Sequence, residues 1–400
     1  MIRLRDAVMM LAAFVVLGTM LAVLVRLALP PLWRRRRVRW LVKGLLALDV
    51  MMPAGWYVLK RLGQADLADS LVSLQLLLVF GQVAALGLAA TLGLLRATGR
   101  WPGRGGDAAE VSSRRRFLLN SAAVALPAAA AAVGVGGLAE SAGAARVRRR
   151  TVEIPGLPAA LAGLRILHFS DVHLWNLVTL HDLGAALALA PRGEYDLVCV
   201  TGDLADDMSQ LPRALELIAD LDPPLGCFAC LGNHEHARGL PEALSAYADS
   251  RVSLLRGSGT LLEFRGHPFI LAGIDDMRVQ PRVTQRDFYP DQLRRALGPT
   301  SVDAVSVVLS HRPSVLPHAA ETGVDLVLAG HTHGGQMAVG ERSILEMYGA
   351  APWAWGVYRR RDTVMHVTCG LGQWFPFRLG CPPEMVLLEL APLRNGAPVP

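Results

Sequence analysis

The stretch DLVLAGHTHGGQ, Asp325–Gln336, raises the question of what its two closely spaced histidines do. A short apolar run ends at two histidines separated by one threonine, and two glycines follow. Side chains at positions i and i+2 of an extended chain point the same way, so His331 and His333 can face one common point. The glycines let the backbone pass close to whatever lies there. A surface turn that happens to hold two histidines fits the same letters, and the rest of the chain decides between the two.

Length and charge limit the classes of protein that this chain can be. Its 400 residues allow two or three domains. Residues 1–150 carry 21 Lys and Arg against 7 Asp and Glu, a net charge of +14. Residues 151–400 carry 19 Arg against 27 Asp and Glu, a net charge of −8. The second part therefore lacks the basic surface that a nucleic-acid-binding domain requires.

Residues 1–140 have the composition of a membrane domain. We predict about four transmembrane helices, because four largely apolar runs are long enough to cross the hydrocarbon core, at 7–25, 41–59, 71–95 and 117–138. Arginines are concentrated after the first run and after the third. Placing both loops in the cytoplasm satisfies the positive-inside rule. The sequence thus predicts a multi-pass protein of the cell membrane, with residues 141–160 linking it to an extracytoplasmic C-terminal domain.

The segment SRRRFLL, Ser113–Leu119, bears on the same question of location. It resembles a twin-arginine export signal, and the ordinary basic flank of a transmembrane helix explains it equally well. The segment SAGAA, Ser141–Ala145, could be cleaved by a signal peptidase. Whether the export route is used, and whether the domain is released, both stay open.

From Thr151 onward, short apolar runs alternate with helical stretches, which is typical of an α/β domain. Five of these runs stop directly at side chains that can bind metal: Asp171 and His173, Asp203, Asn233 and His234, His311, and His331 and His333. In open α/β sheets, ligands bind beyond the carboxyl ends of the strands. The five runs therefore predict one polar cluster, which a chance arrangement of surface turns does not explain.

In this order, D-x-H, G-D, G-N-H-E, S-H and G-H-x-H resemble the motifs of the calcineurin-like metallophosphoesterase superfamily, over residues 164–336. GHTHGGQ and the later PPEMVLLEL, Pro382–Leu390, are similar to its bacterial membrane-anchored and exported branch. The resemblance implies a four-layer α/β/β/α sandwich over residues 161–395. It also implies a hydrolase of phosphoester bonds that uses two divalent metal ions. Mixed carboxylate, amide and imidazole ligands suit Mn, Fe or Zn.

The resemblance also assigns roles to individual residues. The first metal would be bound by Asp171, His173 and His333, the second by Asn233, His311 and His331, and both by Asp203. A hydroxide bridging the two metals would attack phosphorus. His234 would stabilise the transition state and protonate the leaving oxygen, with either Asp206 or Glu235 orienting its imidazole. Contacts with the substrate are predicted at Arg312, Gly334, Gly335 and Arg378.

Two departures from other variants of the superfamily narrow the substrate. The run GDLADDM, Gly202–Met208, lacks the arginine by which protein Ser/Thr phosphatases hold phosphate. Asp206 stands where purple acid phosphatases carry a tyrosine ligand. We therefore expect a phosphodiesterase or a pyrophosphatase, and the membrane anchor suggests an envelope or lipid-linked phosphoester.

Two functions of other classes stay open. A catalytically silent membrane sensor or scaffold could retain the fold, although every expected ligand position is filled. The membrane part could itself be the active component, as in a small transporter. Lys43 and Asp49 are the ionisable residues of the predicted spans, which leaves little to build a substrate pathway from. The sequence names neither the native metals nor the oligomeric state.

Overall fold

The structure, a computed structural model, describes residues 33–62 and 136–393, together with a few single residues between 19 and 82. Within these ranges residues 176, 278–279, 281, 299–303 and 374–375 are not described. The chain divides into two compact units, Met1–Gly137 and Leu138–Pro400.

In the first unit, helix α1 spans Arg36–Arg61 and contains Pro53. Asp49 of α1 is fully buried and accepts hydrogen bonds from Gln75 and Gln82. Among the described residues, no helix is both long and apolar enough to cross a membrane. The predicted span 41–59 falls within α1, and the other three predicted spans lie largely outside the described residues.

The second unit is built on two six-stranded sheets. In order across the first sheet, the strands are β1 (Arg146–Ile154), β14 (Glu384–Pro392), β2 (Arg165–Phe169), β3 (Leu197–Thr201), β4 (Cys227–Cys230) and β5 (Val252–Leu254). Strands β2 to β5 are parallel. Strand β14 is antiparallel to β2 and parallel to β1. The carboxyl ends of β2, β3 and β4 consequently lie at one edge.

The second sheet has a similar parallel centre. Its order is β12 (Gly356–Arg360), β13 (Thr363–Val367), β9 (Leu326–Ala329), β8 (Val305–Leu309), β7 (His267–Gly273) and β6 (Ser258–Phe264). Strands β13, β9, β8 and β7 are parallel, and β6 and β12 close the two edges as antiparallel neighbours. A two-stranded ribbon, β10 (Ala338–Val339) with β11 (Arg342–Ser343), follows β9.

Helices cover the outer faces of both sheets. One apolar cluster joins the first sheet to α2 (Leu180–Leu187), α3 (Leu211–Ala219) and α5 (Leu240–Ala248). Another joins the second sheet to α6 (Gln285–Leu297) and α7 (Leu316–Thr322). A third, drawn from both sheets, lies between them. The short helices α4 (Asn233–Arg238) and α8 (Ile344–Met347) complete the unit. The predicted mixed α/β architecture is confirmed.

The central strands follow from their sequences. Every residue of β3, β4, β8 and β9 is buried. Parallel strands that are covered on both faces have continuous apolar sequences, so these four strands can be located from the sequence.

The segment expected to be a linker, residues 141–160, contains β1, which corrects that expectation. Its sequence RVRRRTVEI buries Val152 and Ile154, and it pairs with β14 along its whole length. Arg146 and Arg149 are exposed, whereas Arg148 and Arg150 are half-buried, and Arg148 pairs with the buried Glu384 at 3.2 Å.

Candidate metal centre

The predicted cluster forms where the carboxyl ends of strands from the two sheets meet. Within the first sheet, the amide of Asp171 donates to Gly202 O at 3.0 Å and that of His173 to Asp203 O at 3.0 Å. Two contacts then join the sheets. His311 Nδ1 lies 2.8 Å from Thr201 O, and the amide of His331 donates to Asp171 Oδ2 at 2.8 Å. The site is therefore a seam between the two sheets.

The backbone at this seam is unusual. Five of the seven predicted metal ligands have a positive φ of 50° to 74°: Asp171, His173, Asp203, His331 and His333. Non-glycine residues seldom adopt this left-handed conformation, and they concentrate at functional sites, where the surrounding structure holds them. The local strain supports a functional origin for the cluster.

Three buried donor atoms form the first group of ligands. His173 Nε2 lies 3.0 Å from His333 Nε2, and Asp171 Oδ1 lies 3.4 Å from His333 Nε2 and 3.9 Å from His173 Nε2. Asp171 Oδ1 is buried and has no hydrogen-bond partner among the described residues. A buried carboxylate oxygen facing two imidazole nitrogens is a donor set that fits a divalent cation.

The charge of this group favours a cation as well. Burial lowers the pKa of His173, but the carboxylates of Asp206, Asp203 and Asp171 outweigh that effect and raise the pKa to about 9. Burial also raises the pKa of Asp171, against the opposing effect of His311. Positive charge is thus strongly favoured here, and a bound metal ion supplies it by displacing protons from its ligands.

A second group of ligands lies beside the first. His311 Nε2 is 3.2 Å from Asp203 Oδ2 and 3.0 Å from His331 Nδ1. Burial lowers the pKa of His311, but Asp203, Asp171 and Asp276 raise it to about 10. Asp203, His311 and His331 form a set of atoms that could hold one metal ion.

Asp203 lies at the junction of the two groups. Its Oδ2 atom, 3.2 Å from His311 Nε2, is also 3.7 Å from His173 Nε2. His331 and His333, separated by one residue in the sequence, fall in different groups. The residues present therefore fit two neighbouring divalent ions with Asp203 between them.

His234 lies in the first turn of helix α4, beside these groups. Its backbone amide donates to Asp203 Oδ1 at 2.8 Å, and its Nε2 lies 3.9 Å from Asp203 Oδ2. Its Nδ1 makes a short hydrogen bond with Asp206 Oδ1. Although burial raises the pKa of Asp206, the facing imidazoles of His173 and His234 hold that pKa far below its usual range.

The structure separates the two candidates for orienting His234. Asp206 contacts its imidazole, whereas Glu235 is fully buried and accepts hydrogen bonds from the backbone amides of Gly232, Asp203 and Leu204. Glu235 therefore fixes the backbone that carries Asp203, and Asp206 is the partner of His234.

The structure places the four predicted substrate contacts in different surroundings. Arg312 is part-exposed and lies at the second group, 2.9 Å from Asn233 Oδ1. Gly334 and Gly335 are buried, with φ of 60° and 65°. A Cβ at Gly334 would lie 2.5 Å from Cys381 Sγ, and one at Gly335 would lie 2.6 Å from Leu345 Cγ. The packing around both positions leaves no room for a side chain. This explains the two glycines without a contact to a substrate.

Arg378 corrects an expectation. Its side chain is fully buried and points into the protein. Its guanidinium donates to the backbone carbonyls of Cys369, Gly370, Gly372 and Cys381. The loop that it holds packs on the first group, because the amide of Gly372 donates to Asp171 O at 2.8 Å. Arg378 therefore stabilises the loop that packs on the first group of ligands.

Sequence reasoning missed Asp276. It follows β7, accepts from Arg312 Nε at 2.6 Å, and is almost fully buried. The run FILAGIDD, residues 269–276, shows the same pattern as the other five, a buried strand that stops at metal-capable side chains. Applying that pattern to every strand would have found it.

Comparisons with known proteins agree with this geometry. Residues 164–335 match the family model described as calcineurin-like phosphoesterase. The chain is 31% identical over 252 residues to a protein of Aquifex aeolicus named uncharacterized metallophosphoesterase, covering 61% of this chain and 91% of that protein. The chain is a calcineurin-like phosphoesterase. The family resemblance read from the motifs is thereby confirmed.

Two other relatives extend the comparison. The phosphoesterase is 29% identical over 248 residues to the uncharacterized metallophosphoesterase YkuE of Bacillus subtilis, covering 60% of this chain and 83% of that protein. It is 28% identical over 276 residues to a Danio rerio protein named transmembrane protein with metallophosphoesterase domain. The match covers 65% of this chain and 60% of that protein. The phosphoesterase is therefore a hydrolase of phosphoester bonds, and its clusters of His and Asp fit the divalent metals that the family uses.

Proposed function

We propose that this phosphoesterase cleaves a phosphodiester or pyrophosphate bond at two divalent cations. Asp171, His173 and His333 would hold the first cation, and Asn233, His311 and His331 the second. Asp203 would be shared. The observation that carries the proposal is the position of Asp203 Oδ2, within 3.7 Å of His173 Nε2 and 3.2 Å of His311 Nε2.

The metals and the protein divide the chemistry between them. Two divalent cations at these residues would neutralise the charge of the phosphate and provide a nucleophile at neutral pH. The protein supplies the proton for the leaving group. His234 Nδ1 is held by Asp206, which leaves Nε2 facing the side of Asp203. With 29% of its side chain exposed, His234 can reach a substrate and donate a proton to the departing oxygen.

We infer the substrate class from the residues of one motif and from the position of His234. The run Gly202–Met208 has no arginine with which to grip a terminal phosphate, whereas His234 is placed to protonate an alkoxide or phosphate leaving group. The predicted membrane spans, and the transmembrane name of one relative, support an envelope or lipid-linked phosphoester. We place the protein in the cell membrane, with the catalytic domain outside the cytoplasm.

The test is a hydrolysis assay on the purified full-length chain with Mn²⁺. Bis(p-nitrophenyl) phosphate, a diester, is compared with p-nitrophenyl phosphate, a monoester. We expect faster cleavage of the diester and a loss of about 10²- to 10⁴-fold in His234→Ala. His181→Ala, an exposed histidine of α2, is the matched control. A wild-type protein that binds metal and cleaves neither ester refutes the proposal and favours the silent sensor.

A further inference from the structure

Arg312 follows His311 directly and connects three parts of the site. Its Nε donates to Asp276 Oδ2 at 2.6 Å and its Nη2 to Asn233 Oδ1 at 2.9 Å. Its Nη1 lies 2.7 Å from His331 Nε2. Two of these three partners, Asn233 and His331, are residues that the proposed function assigns to the second cation.

The chemistry of the guanidinium fixes the state of His331. Arginine is a donor only, so His331 Nε2 must accept its hydrogen bond. The other ring nitrogen, Nδ1, is the atom that faces the second group, 3.0 Å from His311 Nε2. A cation held at Nδ1 would need a proton on Nε2, the nitrogen that Arg312 Nη1 approaches to 2.7 Å. Arg312 in this position and a cation on Nδ1 therefore exclude each other.

Asn233 is occupied in the same way. Its Oδ1 is the only atom of the amide that can bind a metal ion, and it accepts from Arg312. A divalent cation and a guanidinium that share the same oxygen also repel each other. In the first group, by contrast, His173 Nδ1 faces the carboxylate of Asp206 at 3.3 Å, an arrangement that directs Nε2 toward a metal ion.

We propose that Arg312 competes with the second metal ion for Asn233 and His331, so that the two ions bind in order and with unequal affinity. This inference rests on the proposed function for the assignment of the ligands. The first ion binds at Asp171, His173 and His333. The second binds only as the guanidinium leaves its two partners.

The released guanidinium stays at the site. Asp276 is almost fully buried and bonds Arg312 Nε, so the side chain pivots about this contact and its two Nη groups become available. Guanidinium groups bind phosphate oxygens through two parallel hydrogen bonds. Phosphate therefore holds Arg312 away from Asn233 and His331, and the second cation and a phosphate group bind cooperatively.

The test is calorimetric titration of the metal-stripped full-length chain with Mn²⁺, without and with inorganic phosphate. Wild type should show two unequal binding events, the weaker of which tightens when phosphate is present. In Arg312→Gln the weaker event should tighten at least about tenfold without phosphate, about 1.4 kcal/mol, while the tighter event stays unchanged. Phosphate should then add little.

Arg256→Gln is the matched control. Arg256 forms its ion pair with Asp275, the neighbour of Asp276, so the variant removes the same charge nearby without touching Asn233 or His331. Both of its binding events should equal those of wild type. If the loss of positive charge alone strengthened the binding of the second ion, Arg312→Gln and Arg256→Gln would both show it. That result would overturn the proposal.

Arg312→Lys covers the case in which Arg312→Gln fails to fold, because lysine keeps the charge and lacks the planar fork. Second-ion affinity above that of wild type supports competition, and affinity equal to or below wild type overturns it. The readout is the heat of metal binding. A wild type that binds two ions but cleaves no ester would refute the proposed function and leave the competition standing.

Discussion

The Nε2 atoms of His173 and His333 face one another at 3.0 Å, although 160 residues separate them in the sequence. One histidine follows β2 of the first sheet and the other follows β9 of the second. Two imidazole nitrogens are stable at this distance only when a proton or a cation lies between them. The pair shows that the fold brings together two nitrogens that must share a proton or a cation, at the point where the two sheets meet.

Asp206→Asn should lower kcat by about 10- to 100-fold, the range found when a residue that orients metal ligands is replaced. Asp206 contacts Nδ1 of both His173 and His234, so the variant loosens one metal ligand and the proton donor together. Steady-state hydrolysis and Mn²⁺ titration measure both effects. The neighbouring Asp207 bonds Ser209 and Gln210, away from both histidines, and Asp207→Asn should retain wild-type rates. Equal rates in the two variants would contradict this role.

Arg378→Met should lower the free energy of unfolding by roughly 3 kcal/mol or more. The side chain keeps its length, but the buried carbonyls of four residues lose their donor, and each unsatisfied group costs about 1–3 kcal/mol. Urea unfolding measures the change. Arg360→Met, at an exposed position of β12, should have little effect. A wild-type stability in Arg378→Met would show that the loop does not depend on this arginine.

The stability of the fold should fall as the pH drops below 6.5. His168 and His366 form a buried pair, with their Nδ1 atoms 3.0 Å apart, and His168 Nε2 lies 3.0 Å from Thr201 Oγ1. Burial lowers the pKa of His168 to about 3 and, together with His168, lowers the pKa of His366. Both histidines are thus neutral in the folded protein, whereas the unfolded chain takes up protons near pH 6.5.

Because the unfolded state binds more protons at these two positions, the contribution of His168 and His366 to the stability is complete above pH 6.5. It is lost below that value by about 1.4 kcal/mol per pH unit for each histidine, down to about pH 3 for His168. Unfolding at pH 7 and pH 5 in excess chelator measures the slope. His366→Gln should show a shallower slope than wild type, and the exposed His181→Gln an unchanged one. Identical slopes in all three proteins would exclude the buried pair as a cause.

The ligand positions could be read from the sequence because a buried parallel strand is a continuous apolar run and its last residue is easily located. The polar residues after β2, β3 and β4 then share one edge of the first sheet, and those after β8 and β9 share one edge of the second. The prediction that His331 and His333 serve different metal ions remains a proposal, and their membership of different groups supports it.

The direction of a long side chain in a loop could not be read in this way. Arg378 lies between Phe377 and Leu379 in a segment without a regular repeat, so nothing in its neighbours shows whether it points out or in. The edge strand β1 was missed for a related reason, because its five basic and acidic residues hide the alternation that buries Val152 and Ile154. The choice between Asp206 and Glu235 depended on tertiary contacts alone.

The most direct test of the shared carboxylate is Asp203→Asn, measured for bound Mn²⁺ and for hydrolysis of the diester on the same preparation. An amide keeps the shape of the side chain but removes its charge and one of its two ligating oxygens. We predict that at least one ion is lost and that activity falls by more than about 100-fold. This loss exceeds the one expected on replacing a residue that only orients the metal ligands. Asp249→Asn, an exposed position, should retain both. Full activity with two bound ions in Asp203→Asn would contradict the account.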